Sequence, residues 1–197
     1  MSPSNRASSG QPRRDWRSGF KPIDELIQEI RLEFPYPSHN LNWIPYDEFV
    51  GSRLITQGGF SSIFEAMWNK SGQTVALKCL NDSQDLSSDY LNEIKTHWGL
   101  FSQPQFLRCF GITQYPITGE FMIVLQYASF GDLRLHLQRN RVSSWKDKIR
   151  ILKQIARGLA EMHKRDLIHG NLHSGNIMNI DKSHFVIGDV GLCGPAN

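Results

Sequence analysis

The stretch Ile168–Ile180 reads IHGNLHSGNIMNI. It holds two histidines and three asparagines between apolar ends and carries no acid. Polar groups at that density, flanked by β-branched and aliphatic residues, read as a loop held between two pieces of core. Asn176 offers a carboxamide oxygen to a hard cation. His169 and His173 stand four residues apart, but no third ligand accompanies them, so the pattern does not make a zinc site. The loop has groups that hold shape and meet a metal, and it has no carboxylate to serve as a base.

Outward from this loop, the chain divides by composition. Residues 1–20 are rich in Ser, Pro, Gly and Arg, and Arg6, Arg13, Arg14 and Arg17 against Asp15 account for the whole net charge of +3. The rest is neutral, which argues against a nucleic-acid surface, since phosphate neutralisation needs clustered cations. Residues 1–20 are expected to be a disordered basic tail. In KPIDELIQEIRLEF, Ile23, Leu26, Ile27, Ile30 and Phe34 fall at helical spacing, so 21–40 reads as an amphipathic helix followed by the linker PYPSHN. Cys79, Cys109 and Cys193 stand far apart and read as free thiols in a reducing compartment. No apolar run reaches the ~18 residues of a membrane span, and no secretory core opens the chain. A cytoplasmic setting is expected, with a nuclear one left open.

From Trp43 the pattern turns to strands. FVGSRLITQGGFSSIFEAMWN places two β-prone runs around Gly58-Gly59, and QTVALKCL follows an Asn69–Gly72 turn. A helix is expected over 88–99 with Ser87 or Ser88 as N-cap and Leu91, Ile94 and Trp98 on one side. QFLRCFGIT and EFMIVLQYA read as two more strands, the second continuous enough in apolar residues to be central. After Gly131 the chain turns helical: DLRLHLQR is short, and WKDKIRILKQIARGLAEMHKR is the clearest helix, with Ile149, Leu152, Ile155, Ala156, Leu159, Ala160 and His163 as its expected apolar face. IMNI and HFVIG are a short strand pair, and Asp189 follows the second in GDVG.

Taken singly, a Gly-Gly turn, a strand lysine and an aspartate in a turn are ordinary features. In this order, the Gly58-Gly59 turn, Lys78 in VALK, Glu93 in the next helix, the loop with Asn176 and the strand-end Asp189 resemble the protein-kinase signature set. LHSGNI is similar to the catalytic loop of the tyrosine-kinase-like branch. The resemblance spans Leu41 to Asn197 and implies an α+β, protein-kinase-like fold: a complete N-lobe of antiparallel sheet plus one helix over 41–128, and the first part of a helical C-lobe over 129–197. It further implies ATP and Mg2+ as cofactors. Gly58 and Gly59 would lie over the phosphates, and Lys78 would contact the α- and β-phosphates and pair with Glu93. Ile63, Ala76 and Met178 would enclose adenine, with Leu125 at the gate and backbone groups of Gln126 and Ala128 facing the ring. Asn176 and Asp189 would hold the metal.

The chain also departs from that pattern. His169-Gly170-Asn171 stands where the family has His-Arg-Asp, so Asn171 occupies the position of the base that orients the substrate hydroxyl. Gly170 removes an arginine that in much of the family braces a phosphorylated activation segment. Thr56 and Ser61 replace two loop glycines, Val190 replaces an aromatic, and His97 replaces an apolar residue. The sequence ends six residues after Gly191, without an activation segment or the later C-lobe helices. These features lead to the expectation of a truncated pseudokinase or fragment with little phosphotransfer. The alternatives are an active or weakly active Ser/Thr kinase and a nucleotide-independent scaffold, whose helix 22–34 and basic tail would meet a protein partner.

Overall fold

A computed structural model describes residues 17–33, 41–58, 61–80, 91, 94, 95, 98–100, 103–139 and 144–195. Five strands form one antiparallel sheet: β1 (Phe49–Gln57), β2 (Ser61–Trp68), β3 (Gln73–Leu80), β4 (Cys109–Gln114) and β5 (Phe121–Gln126), in the order β1-β2-β3-β5-β4. The Trp68–Gly72 turn closes β2 onto β3 through the N–H of Gly72, which donates to the Trp68 carbonyl at 2.9 Å.

The pleat explains why β3 and β5 read as nearly continuous apolar runs. Side chains alternate between faces, and here both faces are covered. Val75, Leu77 and Cys79 of β3 and Met122 and Val124 of β5 pack with Ile44, Phe49 and Ala66 on one side. Ala76 of β3 and Phe121, Ile123 and Leu125 of β5 pack on the other. Lys78 lies between Leu77 and Cys79 and opposite Ile63 and Ile123, so it shares the face of Ala76. Burial pushes the thiols of Cys79 and Cys109 up to about 12, with Glu120 reinforcing the shift at Cys79. Both are free cysteines that behave as core residues.

Helix α1 (Lys21–Glu33) buries Ile23, Leu26, Ile27 and Ile30 on one stripe, the spacing expected of an amphipathic helix. That stripe joins the cluster on the second face of the sheet, together with Ile94 and Trp98, which are helical. Each such side chain removed from water contributes about 1.5–3 kcal/mol. Arg17–Phe20, assigned by composition to the tail, are part of this structure. Ser18 donates to Asp24 Oδ1 from its hydroxyl at 2.8 Å, and the Phe20 ring meets Phe121 edge-on at 5.1 Å. The linker 35–40, residues 1–16 and most of the helix expected over 88–99 lie outside the described residues.

The second lobe comprises α2 (Leu133–Arg139), α3 (Trp145–His163), a β7–β8 hairpin (Ile177–Asp181 and His184–Ile187) and a short pairing of β6 (Leu167–Ile168) with β9 (Gly194–Pro195). Asp132 caps α2 by accepting from the Leu135 N–H at 2.7 Å, and Ser144 caps α3 by accepting from the Asp147 N–H at 3.1 Å. The lobes are joined by Gln105–Leu107 alongside β8. The Leu107 N–H donates to the Ile187 carbonyl, and the Ile187 N–H to that of Gln105, both at 2.8 Å.

The α3 stripe differs from its sequence expectation. Ile151, Gly158 and Met162 are buried, with Ile155 and Leu159 partly so. Ile149 and Leu152 are 60% and 63% exposed, and Ala156, Ala160 and His163 are exposed as well. The helix carries apolar residues on two faces. The hairpin takes the one where Gly158 permits closest approach: a Cβ there would stand 2.6 Å from Ile187 Cδ1.

That approach sets a prediction. In an exposed helix Gly→Ala stabilises by up to about 1 kcal/mol. At Gly158 the collision reverses the sign, so Gly158→Ala should lower stability by about 1–3 kcal/mol in denaturant titrations.

Candidate functional site

Lys78 and Asp189 are separated by 111 residues, yet Lys78 Nζ donates to Asp189 Oδ1 at 2.7 Å. Lys78 is 6% exposed, while the Asp189 side chain is 37% exposed. The strand pleat aims the lysine, and a backbone turn aims the acid. Asp189 follows β8 and adopts left-handed torsions, φ 53 and ψ 60, before the single helical turn Val190–Leu192. Aspartate tolerates that region better than most side chains, and the conformation sets its carboxylate against the sheet lobe. A buried ammonium needs compensating charge, and Asp189 supplies one from the other lobe.

Asn176 completes the acid's surroundings. It ends the turn Ser174–Asn176 and is buried. Its Nδ2 donates to the Asn171 carbonyl at 2.9 Å and to Asp189 Oδ2 at 3.3 Å. With both amide hydrogens so used, Oδ1 is left as the group's acceptor for a cation. Its backbone carbonyl accepts from Gly188 at 2.8 Å, fixing the loop to the residue before Asp189. Among the described residues no three His, Cys, Asp or Glu side chains cluster as metal ligands. The one-carboxylate, one-carboxamide pair instead suits magnesium, which takes few protein ligands and fills its octahedron with water and phosphate oxygens.

The histidine tautomers follow from their partners. Buried His169 lies 2.9 Å from the Gly188 carbonyl through Nε2, which must therefore carry the proton, and its Nδ1 accepts from the Asn171 N–H at 3.3 Å. His169 thus ties the loop to the Asp189 turn in its neutral form. His173 Nδ1 accepts from Gly175 N at 3.1 Å, so its proton too lies on Nε2. Between them Gly170 has φ 71, a conformation that favours glycine. Asn171 is held by its backbone on both sides, through His169 and Asn176, and brings a carboxamide to the loop.

The apolar lining is shared between lobes. Ala76 and Leu125 belong to one buried cluster against which Ile63 and Met178 pack, with Val186 beneath. Gly188 keeps this floor open, since a Cβ there would stand 3.2 Å from Met178 Cγ. The Gln126 N–H donates to the Arg108 carbonyl at 2.8 Å, and the Ala128 carbonyl accepts from Gly131 at 2.9 Å. The Gly58 N–H donates to the Ser61 carbonyl at 2.8 Å and closes the β1–β2 turn. Gly59, Glu93 and His97 lie outside the described residues. Val190 is buried with Leu100 and Phe106, so the small residue at that position still packs between lobes.

Sequence reading missed one contact beside the site. Glu65 on β2 takes Arg53 at 2.8 Å. The same carboxylate accepts from Tyr127 in the interlobe segment and holds that phenol above its usual range. Glu65 pairs with Ala76 across the strands, but nothing local in the sequence links it to a residue 62 positions later.

Comparison with known proteins agrees with this geometry. The profile of the family described as "Protein tyrosine and serine/threonine kinase" matches residues 50–196. The chain is 27% identical over 180 residues to L-type lectin-domain containing receptor kinase V.9 of Arabidopsis thaliana, covering 87% of this chain and 26% of that protein. It is 28% identical over 147 residues to a receptor-like protein kinase of the same plant, covering 71% of this chain and 16% of the relative. It is 26% identical over 152 residues to serine/threonine-protein kinase PLK4 of Drosophila virilis, covering 74% and 19% respectively. The chain therefore spans about a quarter or less of the length of these relatives.

The asymmetry of the ion pair gives a stability prediction. Asp189→Asn keeps the size and the left-handed tolerance but sets a neutral amide before a buried ammonium, and should cost about 1–3 kcal/mol. Lys78→Met removes the buried charge and should cost less. In chemical denaturation the double variant should be less destabilised than the sum of the two.

Proposed function

The chain belongs to the protein tyrosine and serine/threonine kinase family, and on that premise we propose that it is an ATP-binding, kinase-like domain of the tyrosine-kinase-like branch, a pseudokinase with little phosphotransfer. Members of this family use ATP and magnesium. The observation that carries the reading is the Lys78–Asp189 contact at 2.7 Å with the Asn176 amide on the other carboxylate oxygen.

Each residue has a role that follows from its chemistry. The Lys78 ammonium, which meets Asp189 at 2.7 Å, would bind phosphate oxygens of the nucleotide. Asp189 and the Asn176 carboxamide oxygen would hold the metal, which would supply charge neutralisation. Ile63, Ala76, Leu125 and Met178 offer an apolar slot to a flat heterocycle. The Gln126 carbonyl and the Ala128 N–H are the polar groups at its edge. Glu65 and Tyr127 brace the segment that carries them.

Asn171 sets the limit on chemistry. Its side chain can hydrogen-bond a substrate hydroxyl, but a carboxamide does not take a proton. Loss of a general base costs about 10²–10⁴-fold in rate, while positioning and electrostatics are retained. A second reading therefore stands beside the first: a weakly active Ser/Thr kinase. It is favoured by the intact backbone restraints on Asn171, which keep the loop in shape.

Millimolar Mg-ATP should raise the melting temperature of the wild-type chain by mass action, and Lys78→Met should abolish the shift. Phosphotransfer from labelled ATP should be near background in the wild type. Asn171→Asp should raise it by about 10²–10⁴-fold. A wild-type chain with no melting shift would exclude nucleotide binding, and a wild-type rate unchanged by Asn171→Asp would remove Asn171 as the limiting residue.

A further inference from the structure

Helix α1 precedes the family-matched segment, which begins at residue 50. It is nonetheless built into the nucleotide cleft's own core. Ile23, Leu26, Ile27 and Ile30 lie in one buried cluster with Ile94 and Trp98, and the same cluster reaches Ala76, Leu125 and Val186, with Ile63 and Met178 packed against it. Packing therefore runs without a break from α1, through the helical residues Ile94 and Trp98, to the walls of the apolar slot. Close-packed interiors transmit displacement because they have little free volume to absorb it.

A polar contact fixes the register of the two elements. Lys95 Nζ meets Glu29 Oε1 at 2.5 Å. Glu25, Glu29 and Glu33 recur every fourth residue and place an acidic edge along α1. Lys95 feels both Glu29 and Glu33, and its ammonium is held above the usual lysine range, chiefly by the hydrogen bond to Glu29. Beside this pair, Pro22, Glu25, Leu26, Glu29, Leu91 and Lys95 line a cavity of about 410 Å³.

Ile94, which shares a buried cluster with α1, and Lys95, which pairs with it, are consecutive in the chain. We propose that α1 is an intramolecular brace for nucleotide binding, with Glu29 and Lys95 as positioning residues and Ile27 and Ile30 as the apolar anchor. Resting on the nucleotide-binding reading above, the brace sets the affinity of the cleft for Mg-ATP through the buried cluster that α1 shares with Ala76, Leu125 and Val186. No residue of α1 need touch the nucleotide.

The test uses the full chain and Mg-ATP as the probe. Glu29→Lys and Lys95→Glu should each weaken Mg-ATP binding about two- to fivefold, the range an exposed ion pair carries, and the double exchange should restore it. Ile27→Ala should weaken binding about tenfold. Ile44→Ala, in the cluster on the opposite face of the sheet, serves as a control that lowers the melting temperature without moving the Kd. Hydrogen exchange supplies an arm independent of nucleotide: Glu29→Lys should speed exchange at Ile94, Lys95 and Trp98 and leave α3 unchanged. Unchanged or tighter Mg-ATP binding in the Ile27 and Glu29 variants would overturn the brace, as would failure of the double exchange to restore affinity. If the wild type binds no Mg-ATP, the nucleotide reading falls, and unchanged exchange at Ile94, Lys95 and Trp98 would sink the brace separately.

Discussion

A buried ammonium must be answered by negative charge, and in this protein one such charge reaches it from the other lobe. Lys78 sits in the middle of a strand between two fully buried residues, Leu77 and Ile123 across the ladder, where a lone charge would be costly. Asp189 meets it at 2.7 Å from the end of β8. The pair needs a sheet that presents Lys78 on one face, a hairpin that ends on time, and a left-handed turn at Asp189. It also needs the Gln105–Leu107 segment that ties β8 to the sheet lobe. These features are coupled, because an error in any of them would leave the ammonium in the core without this partner.

The polar loop serves the same constraint from below. His169, in its neutral Nε2–H form, joins the Asn171 backbone to the Gly188 carbonyl, and Asn176 joins the Asn171 carbonyl to the Asp189 carboxylate. The two histidine and asparagine bridges hold the acid's position without adding charge. The contacts at Asn171 use its N–H and C=O, so they do not depend on the side chain it carries. The shape of the loop is therefore independent of the chemistry of the Asn171 side chain.

Much of this was legible in the sequence because the governing patterns are local. The period-two alternation of β3 places Ala76 and Lys78 on one face, and the 3.6-residue spacing of Ile23, Leu26, Ile27 and Ile30 marks the buried side of α1. The joint order of short motifs singled out Lys78, Asn176 and Asp189, which the fold brings into contact. What could not be read depends on distant partners. Helix α3 has two apolar faces, and periodicity does not say which one meets β8; Gly158 decides it by allowing Ile187 close. The bridge from Glu65 to Tyr127 is set by sheet geometry alone. The packing of α1 on Ile94 and Trp98 depends on where two separate helical segments meet, and an amphipathic stripe names its own apolar face without naming what will cover it.

The most direct measurement is nuclear magnetic resonance of the chain with manganese-ATP as a paramagnetic probe. If the cleft between the lobes grips a metal-nucleotide, the side-chain amide of Asn176 and the backbone amide of Gly188 should broaden strongly, while those of α3 residues far from the cleft stay sharp. Broadening that spares Asn176, or that spreads evenly over the surface, would contradict the account.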